Sequence, residues 1–186
     1  MMDRGMEVRR VLPEELTEVF LSGFRHRQII REIWVREGDG YVLSPTDLIR
    51  EWSDEKRRWI PLWLREQAEA GGAVFAAFSD GLPVGFASLD GCLSEGEIRY
   101  ANLTMLFVDD RVQRLGIGSR LFRAVCVRAS EMGADRLFIS AVPSRETVAF
   151  YFKMGCRDAQ IVPPGFVDTE EDRFMELVLP GFKRER

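Results

Sequence analysis

The sequence predicts one α/β domain in which helices cover both faces of a mixed sheet, and three observations carry that expectation. Strand and helix signals alternate through the second half of the chain, which is the pattern of a layered α/β fold. A hairpin precedes them: the apolar runs Ala73 to Phe78 and Pro83 to Leu89 flank Ser79-Asp80-Gly81, and an Asp-Gly pair is a strong tight-turn signal. Between the two lies Leu103 to Phe122. There the apolar run Leu103, Met105, Leu106, Phe107 and Val108 stops at Asp109, and helical spacing sets in after Gly116 at Ile117, Leu121, Ala124, Val125, Ala129 and Met132. Strand, short polar turn and helix follow one another.

Composition sets the outer bounds. The 186 residues, 46% hydrophobic and 30% charged, suffice for one soluble domain with a full core. A net charge of -4 gives no basic field, so nucleic acid is not an expected partner. No apolar run is long enough to span a membrane, and the charged start MMDRGMEVRR lacks the apolar core of a secretory signal. Cys92, Cys126 and Cys156 lie 34 and 30 residues apart, a spacing that suits neither a metal site nor a disulfide framework. The expectation is a cytoplasmic protein with reduced thiols, no metal and no membrane association.

Taken in order, Glu7 to Val11 predicts a short strand, and Pro13 with Glu14 and Glu15 starts a helix through about Phe24, with Leu16, Val19, Phe20 and Phe24 on its apolar side. Ile29, Ile30, Ile33, Trp34 and Val35 extend that helix or begin a second. Gly38-Asp39-Gly40 breaks the pattern, Tyr41 to Leu43 is a short extended piece, and Ser44-Pro45 with Asp47 offers another helix start. Ser53 caps a helix that runs past Pro61 to Gly71-Gly72. After the hairpin, Glu97 to Asp109 is a long strand. Gly133 stops the helix that follows, Arg136 to Val142 is a strand, Ser144 caps a helix ending near Gly155, and Cys156 to Val162 and Arg173 to Leu179 are strands before the Lys183-Arg184 tail.

Chemistry concentrates in the turn after the long strand. Glycines where a strand passes into a helix let backbone N–H groups approach a ligand, and the helix start adds unpaired donors and a positive dipole end, so the turn suits phosphate. A Walker A loop requires Gly-Lys-Ser/Thr, which is missing, and a dinucleotide fingerprint requires a third glycine where Leu121 stands. The run Gln113-Arg114-Leu115-Gly116-Ile117-Gly118 resembles the Gln/Arg-x-x-Gly-x-Gly/Ala signature of the GCN5-related N-acetyltransferases, the GNAT superfamily. Ser144 to Cys156, SRETVAFYFKMGC, is similar to that family's later helix, with Tyr151, Lys153 and Gly155 at matching places.

The resemblance implies a mostly antiparallel GNAT-like sheet, with residues 7–72 on the variable acceptor side and 73–180 forming the hairpin, acetyl-CoA core and final strands. It implies acetyl-CoA as donor, with the pantetheine along Leu106, Phe107 and Val108 and the pyrophosphate on Gln113, Arg114, Leu115, Gly116, Ile117, Gly118 and Ser119. Ser144, Tyr151 and Lys153 complete the implied set. Tyr151 is the general-acid candidate, since a phenol stays protonated at neutral pH; packing beside Val148 is its plainer role. Ser144 stands where the family carries Asn, and either meets the pantetheine or only caps its helix. Met105 stands where some relatives place Glu, and Asp110 where proline is common.

The acceptor is then an amine of a small molecule or peptide, and a homodimer stays open. Glu97, Asn102, Thr104 or a water relay compete as base. His26, between two arginines, reads as a solvated surface residue, with a substrate-site role as the lesser alternative. Trp34, Tyr41, Trp52, Trp59 and Trp63 either line an acceptor pocket or pack a core. The rival from another class is an acetyl-CoA-binding module without turnover.

Overall fold

The structure is a computed structural model in which residues 6–180 are described; the Lys183-Arg184 tail and the first residues of the charged start lie outside them. The central sheet has the order β1-β4-β5-β6-β7-β9-β8 and a separate two-stranded sheet pairs β2 with β3, where β1 is Glu7–Val11, β2 Arg27–Glu37, β3 Gly40–Glu51, β4 Ala73–Ser79, β5 Leu82–Leu93, β6 Tyr100–Val108, β7 Arg136–Ala141, β8 Arg157–Asp158 and β9 Arg173–Val178. Every neighbouring pair is antiparallel except β6 and β7, which the helix α2, Ile117–Glu131, connects as a parallel crossover must.

Both faces are covered, as the sequence predicts. On one side Ile117, Leu121, Phe122, Val125 and Ala129 of α2 pack with Val148 and Tyr151 of α3, Arg145–Lys153, against the sheet. On the other, Ile60 and Leu64 of α1, Asp54–Glu69, join Leu16, Leu21, Phe24, Trp52 and Phe86. Ser53 and Ser144 both cap as expected, accepting from Lys56 N and Thr147 N.

The region before α1 differs from the expectation. Pro13–Glu15 is one 3-10 turn, followed by i→i-3 bonds at Phe20, Ser22 and Phe24 in place of a helix. Leu16, Leu21 and Phe24 reach the core from these turns, whereas Val19 is 70% exposed. Ile29 to Val35 form part of β2, and Tyr41, Ser44 and Asp47 belong to the continuous β3. Isoleucine and valine at this density suit an extended pleat, and the Gly38-Asp39-Gly40 break is a hairpin turn. Near the end, Cys156 to Val162 supplies only the short β8, after which the chain is irregular to β9.

The strand β6 is irregular at one point. Met105 lies opposite Ser88, but Leu103 lies opposite Leu89, so Thr104 is an extra residue and the strand carries a β-bulge. Leu103 and Leu106 therefore face the α2 side together, while Met105 and Phe107 face the α1 side. The Thr104 hydroxyl meets that of Ser88 at 2.7 Å.

Gly85 on β5 lets α2 settle on the sheet. A Cβ there would lie 2.9 Å from Ile117 Cγ2 and 3.2 Å from the Phe107 carbonyl oxygen, so Gly85→Ala is expected to cost about 1–3 kcal/mol by overpacking. Denaturant unfolding checks this, and an unchanged midpoint would mean that α2 does not press on β5 there.

Candidate functional site

The site grows from the parting of two strands. Pairing between β6 and β7 runs from Tyr100–Arg136 to Leu103–Ile139 and stops, while β7 continues to Ala141 against β9. From Thr104 to Val108 the backbone on that side has no strand partner among the described residues, and these residues are half-buried where Tyr100 to Leu103 are buried. A gap with free strand edges opens toward the loop beyond β6, and Leu106, Phe107 and Val108 line its β6 edge.

That loop is anchored by a buried carboxylate. Asp109, fully buried, accepts from Arg25 N at 2.9 Å and from Arg111 N at 3.0 Å. The Arg111 guanidinium adds contacts at 2.8 and 2.6 Å. Burial pushes the Asp109 pKa up, but the hydrogen bonds from Arg111 and the Arg25 backbone outweigh it and hold the acid below its ordinary value. Asp110 accepts from Arg27 N at 2.6 Å and from the Gln113 side chain at 3.1 Å. Burial raises its pKa.

From Gln113 through Ser119 no backbone N–H donates to a protein acceptor among the described residues. Arg114 has φ 65 and Gly116, the α2 N-cap, has φ 78. Two left-handed residues in one turn aim successive N–H groups to one side, the geometry of an anion nest at a helix start. Open space surrounds Gly116 where a Cβ would stand. Ser119 is half-buried, and Leu115, Arg114 and Arg120 are exposed.

The helix α3 closes the site from the α2 side. Phe150 lies 3.4 Å from where a Gly118 Cβ would be, and Phe122 holds both Phe150 and Tyr151, with centroids 6.2 and 5.9 Å apart. Tyr151 is 6% exposed, its hydroxyl has no protein partner among the described residues, and burial pushes its pKa above the ordinary 10. The Ser144 hydroxyl is occupied: it donates to Thr147 Oγ1 at 2.8 Å and accepts from Thr147 N and Gln28 Nε2 at 3.1 Å. Lys153 is exposed at the far end of the helix.

His26 departs from the expected solvated residue. Its ring lies 4.8 Å from Trp52 and 5.0 Å from Phe107 between centroids and lines a cavity of about 680 Å³ with Arg27, Glu51, Arg57 and Asp110. Burial, then the charges of Lys56 and Arg50, lower its pKa from 6.5 to about 4. Of the expected aromatic pocket residues only Trp52 stands here; Trp34 and Tyr41 flank Arg173, and Trp59 and Trp63 lie tilted against each other along α1. The base candidate Glu97 is exposed before β6 begins. No local pattern around Arg25-His26-Arg27 marks this burial, because it arises from Trp52, bonded to His26 across the hairpin base.

A family model described as the acetyltransferase (GNAT) family matches residues 27–156, and the chain belongs to that family. Solved structures share the fold. Nourseothricin acetyltransferase superposes with a TM-score of 0.67 at 19% identity, over 94% of this chain and 99% of that one. A Bacillus anthracis protein described as a streptothricin acetyltransferase, in complex with acetyl coenzyme A, gives 0.65 at 17% identity over 94% and 100%. The Escherichia coli ribosomal-protein-S18-alanine N-acetyltransferase gives 0.59 at 16% over 98% and 99%. In sequence, a Danio rerio protein named Probable N-acetyltransferase 14 is 30% identical over 112 residues, which are 60% of this chain but 39% of the relative. The chain thus spans well under half of that relative.

The half-buried neutral imidazole predicts a pH signature. Its folded pKa of about 4 lies below the ordinary 6.5, so the unfolded chain binds the extra proton first and stability falls as pH drops from 6.5 toward 4. His26→Phe should flatten that fall relative to wild type in thermal melts across this range; parallel curves would contradict the burial.

Proposed function

We propose that this protein is an N-acetyltransferase that moves the acetyl group of acetyl-CoA to a primary amine of a small molecule or peptide by direct attack. The observation that carries the reading is the gap between β6 and β7 opening onto the row of unpaired N–H groups from Gln113 to Ser119. Pantetheine is a chain of amides, and Leu106 to Val108 offer it free backbone partners as an added strand would. Its pyrophosphate suits the nest at the start of α2, with Arg114 and Arg120 beside it. Family membership and a fold-mate that holds acetyl coenzyme A support the same donor.

The chemistry follows from what lines the gap. As the amine adds to the thioester carbonyl, charge gathers on oxygen, and a strand N–H at Phe107 or Val108 offsets it. The carbon–sulfur bond then breaks and sulfur leaves with the electron pair. Tyr151 supplies its proton: burial keeps the phenol protonated, and its hydroxyl has no competing partner among the described residues. Ser144 serves the helix cap and its tie to Gln28. Residues 7–72 shape the acceptor side and 73–180 hold the donor, within one domain.

Acetyl-CoA at a hundred times its Kd should stabilise the protein by about 2.7 kcal/mol, a rise of roughly 5–11 °C in Tm, and NAD should do nothing. Thiol release from acetyl-CoA with at least one amine of a panel separates turnover from a module that only binds. Tyr151→Phe should lower kcat about 10²-fold with little change in acetyl-CoA affinity. An unchanged rate with chemistry limiting removes Tyr151 from the mechanism.

A further inference from the structure

The Arg25 to Arg27 segment is bolted to the residues just past β6 by three hydrogen bonds, one between backbones and two from backbone N–H groups to carboxylates. Arg25 N meets Asp109, Asp110 N meets the Arg25 carbonyl oxygen at 3.1 Å, and Arg27 N meets Asp110. His26 is held between those anchors. Its ring rests edge-on against Phe107, a residue of the unpaired edge of β6, on the face away from α2 and α3. On the acetyl-transfer reading the donor lies against the α2 side, where Leu106 and Val108 face, so this opposite face is where a second substrate would reach the thioester. His26 links that edge to a cavity walled by the Ser22 to Arg27 segment, Glu51, Arg57, Asp110 and Arg111.

We propose that the acceptor amine enters through this cavity and that His26 receives the proton its nitrogen sheds as the new bond forms. The proposal rests on the acetyl-transfer reading and supplies the base which that reading leaves unnamed. Neither ring nitrogen of His26 bonds to a protein group among the described residues, so one is free as an acceptor. The charged groups around the ring are Lys56 and Arg50, with Arg27, Glu51, Arg57 and Asp110 on the cavity wall. Arg27 lies 3.7 Å from Glu51 and Arg57 pairs with Asp54, which leaves cations prevailing beside the imidazole. Such surroundings keep it unprotonated at neutral pH and speed return of a captured proton to water.

The step balances. The acceptor arrives as free amine, having left one proton to solvent, and its lone pair forms the carbon–nitrogen bond while the carbonyl π pair moves to oxygen. The nitrogen, now cationic, becomes strongly acidic as the carbon–sulfur bond begins to break and an N-protonated amide starts to form, and it passes a proton to the imidazole in that step. The oxyanion pair returns, the carbon–sulfur bond breaks, and sulfur takes the Tyr151 proton. Imidazolium yields its proton to water through the cavity, and water reprotonates Tyr151.

The test compares wild type with His26→Phe and His26→Ala. Each is assayed for thiol release from acetyl-CoA with an alkyl diamine, an amino acid, a tripeptide with a free N-terminus and a streptothricin, and for acetyl-CoA binding by calorimetry. His26→Phe keeps a ring against Trp52 and Phe107 and removes both nitrogens. The expected result is acetyl-CoA affinity near wild type, kcat lowered about 10²-fold, and partial recovery of His26→Ala, alone of the three, on addition of imidazole. His26→Phe at the wild-type rate, or His26→Ala indifferent to imidazole, overturns the proposal while leaving acetyl transfer intact. Should His26→Phe not fold, His26→Ala with and without imidazole decides. Wild type that releases no thiol with any amine overturns the acetyl-transfer reading and this proposal with it.

Discussion

The divergence of β6 from β7 beyond Leu103–Ile139 is the constraint on which the rest of the structure turns. A parallel pair in the middle of a sheet ordinarily stays paired along its length, since each unmet N–H or carbonyl costs free energy unless water or a ligand meets it. Here the bulge at Thr104 bends β6 away, and Ser88 holds the bulged residue through its hydroxyl. The exposed edge that results is tolerable because it is short and faces a gap.

The far end of the gap is held in register with the turn before α2, and Asp109 provides that hold. Its carboxylate is the only acidic group among the described residues that ties together the end of β6, the Arg111 side chain and the chain entering β2. A fully buried carboxylate left without these donors would carry a large desolvation cost. The same tether fixes two things at once: where the N–H row of Gln113 to Ser119 points, and where His26 stands against Phe107. On the proposed reading the donor and acceptor sides therefore share one anchor, with Phe122 of α2 packed against Phe150 and Tyr151 of α3.

Legibility in the sequence follows the range of the forces involved. From Ser53 onward the pattern is local: caps at Ser53 and Ser144, the Asp-Gly turn, the glycines before α2 and the helical spacing within it all appear in the structure close to where they are read. The turn before α2 is legible too, because its glycine marks a helix start locally and stands there in a left-handed conformation. Before Ser53 the reading goes astray. Leu16, Phe20 and Phe24 have helical spacing, yet i→i-3 turns place Leu16 and Phe24 in the core. Ile29 to Val35 fit either period, and it is pairing with residues 40–51, a non-local interaction, that selects the strand. His26 is hidden for the same reason. Two flanking arginines suggest solvent, and only the fold brings Trp52 and Phe107 to its ring.

Amide hydrogen exchange with and without acetyl-CoA is the sharpest test of the donor site, because it reads the backbone groups that would hold the ligand. Slowed exchange is expected in two stretches alone, Thr104 to Val108 on the free edge of β6 and Gln113 to Ser119 at the start of α2, with β4 and β8 unchanged. Binding of acetyl-CoA that leaves both stretches exchanging at their free rate, while protecting another part of the chain, would contradict it.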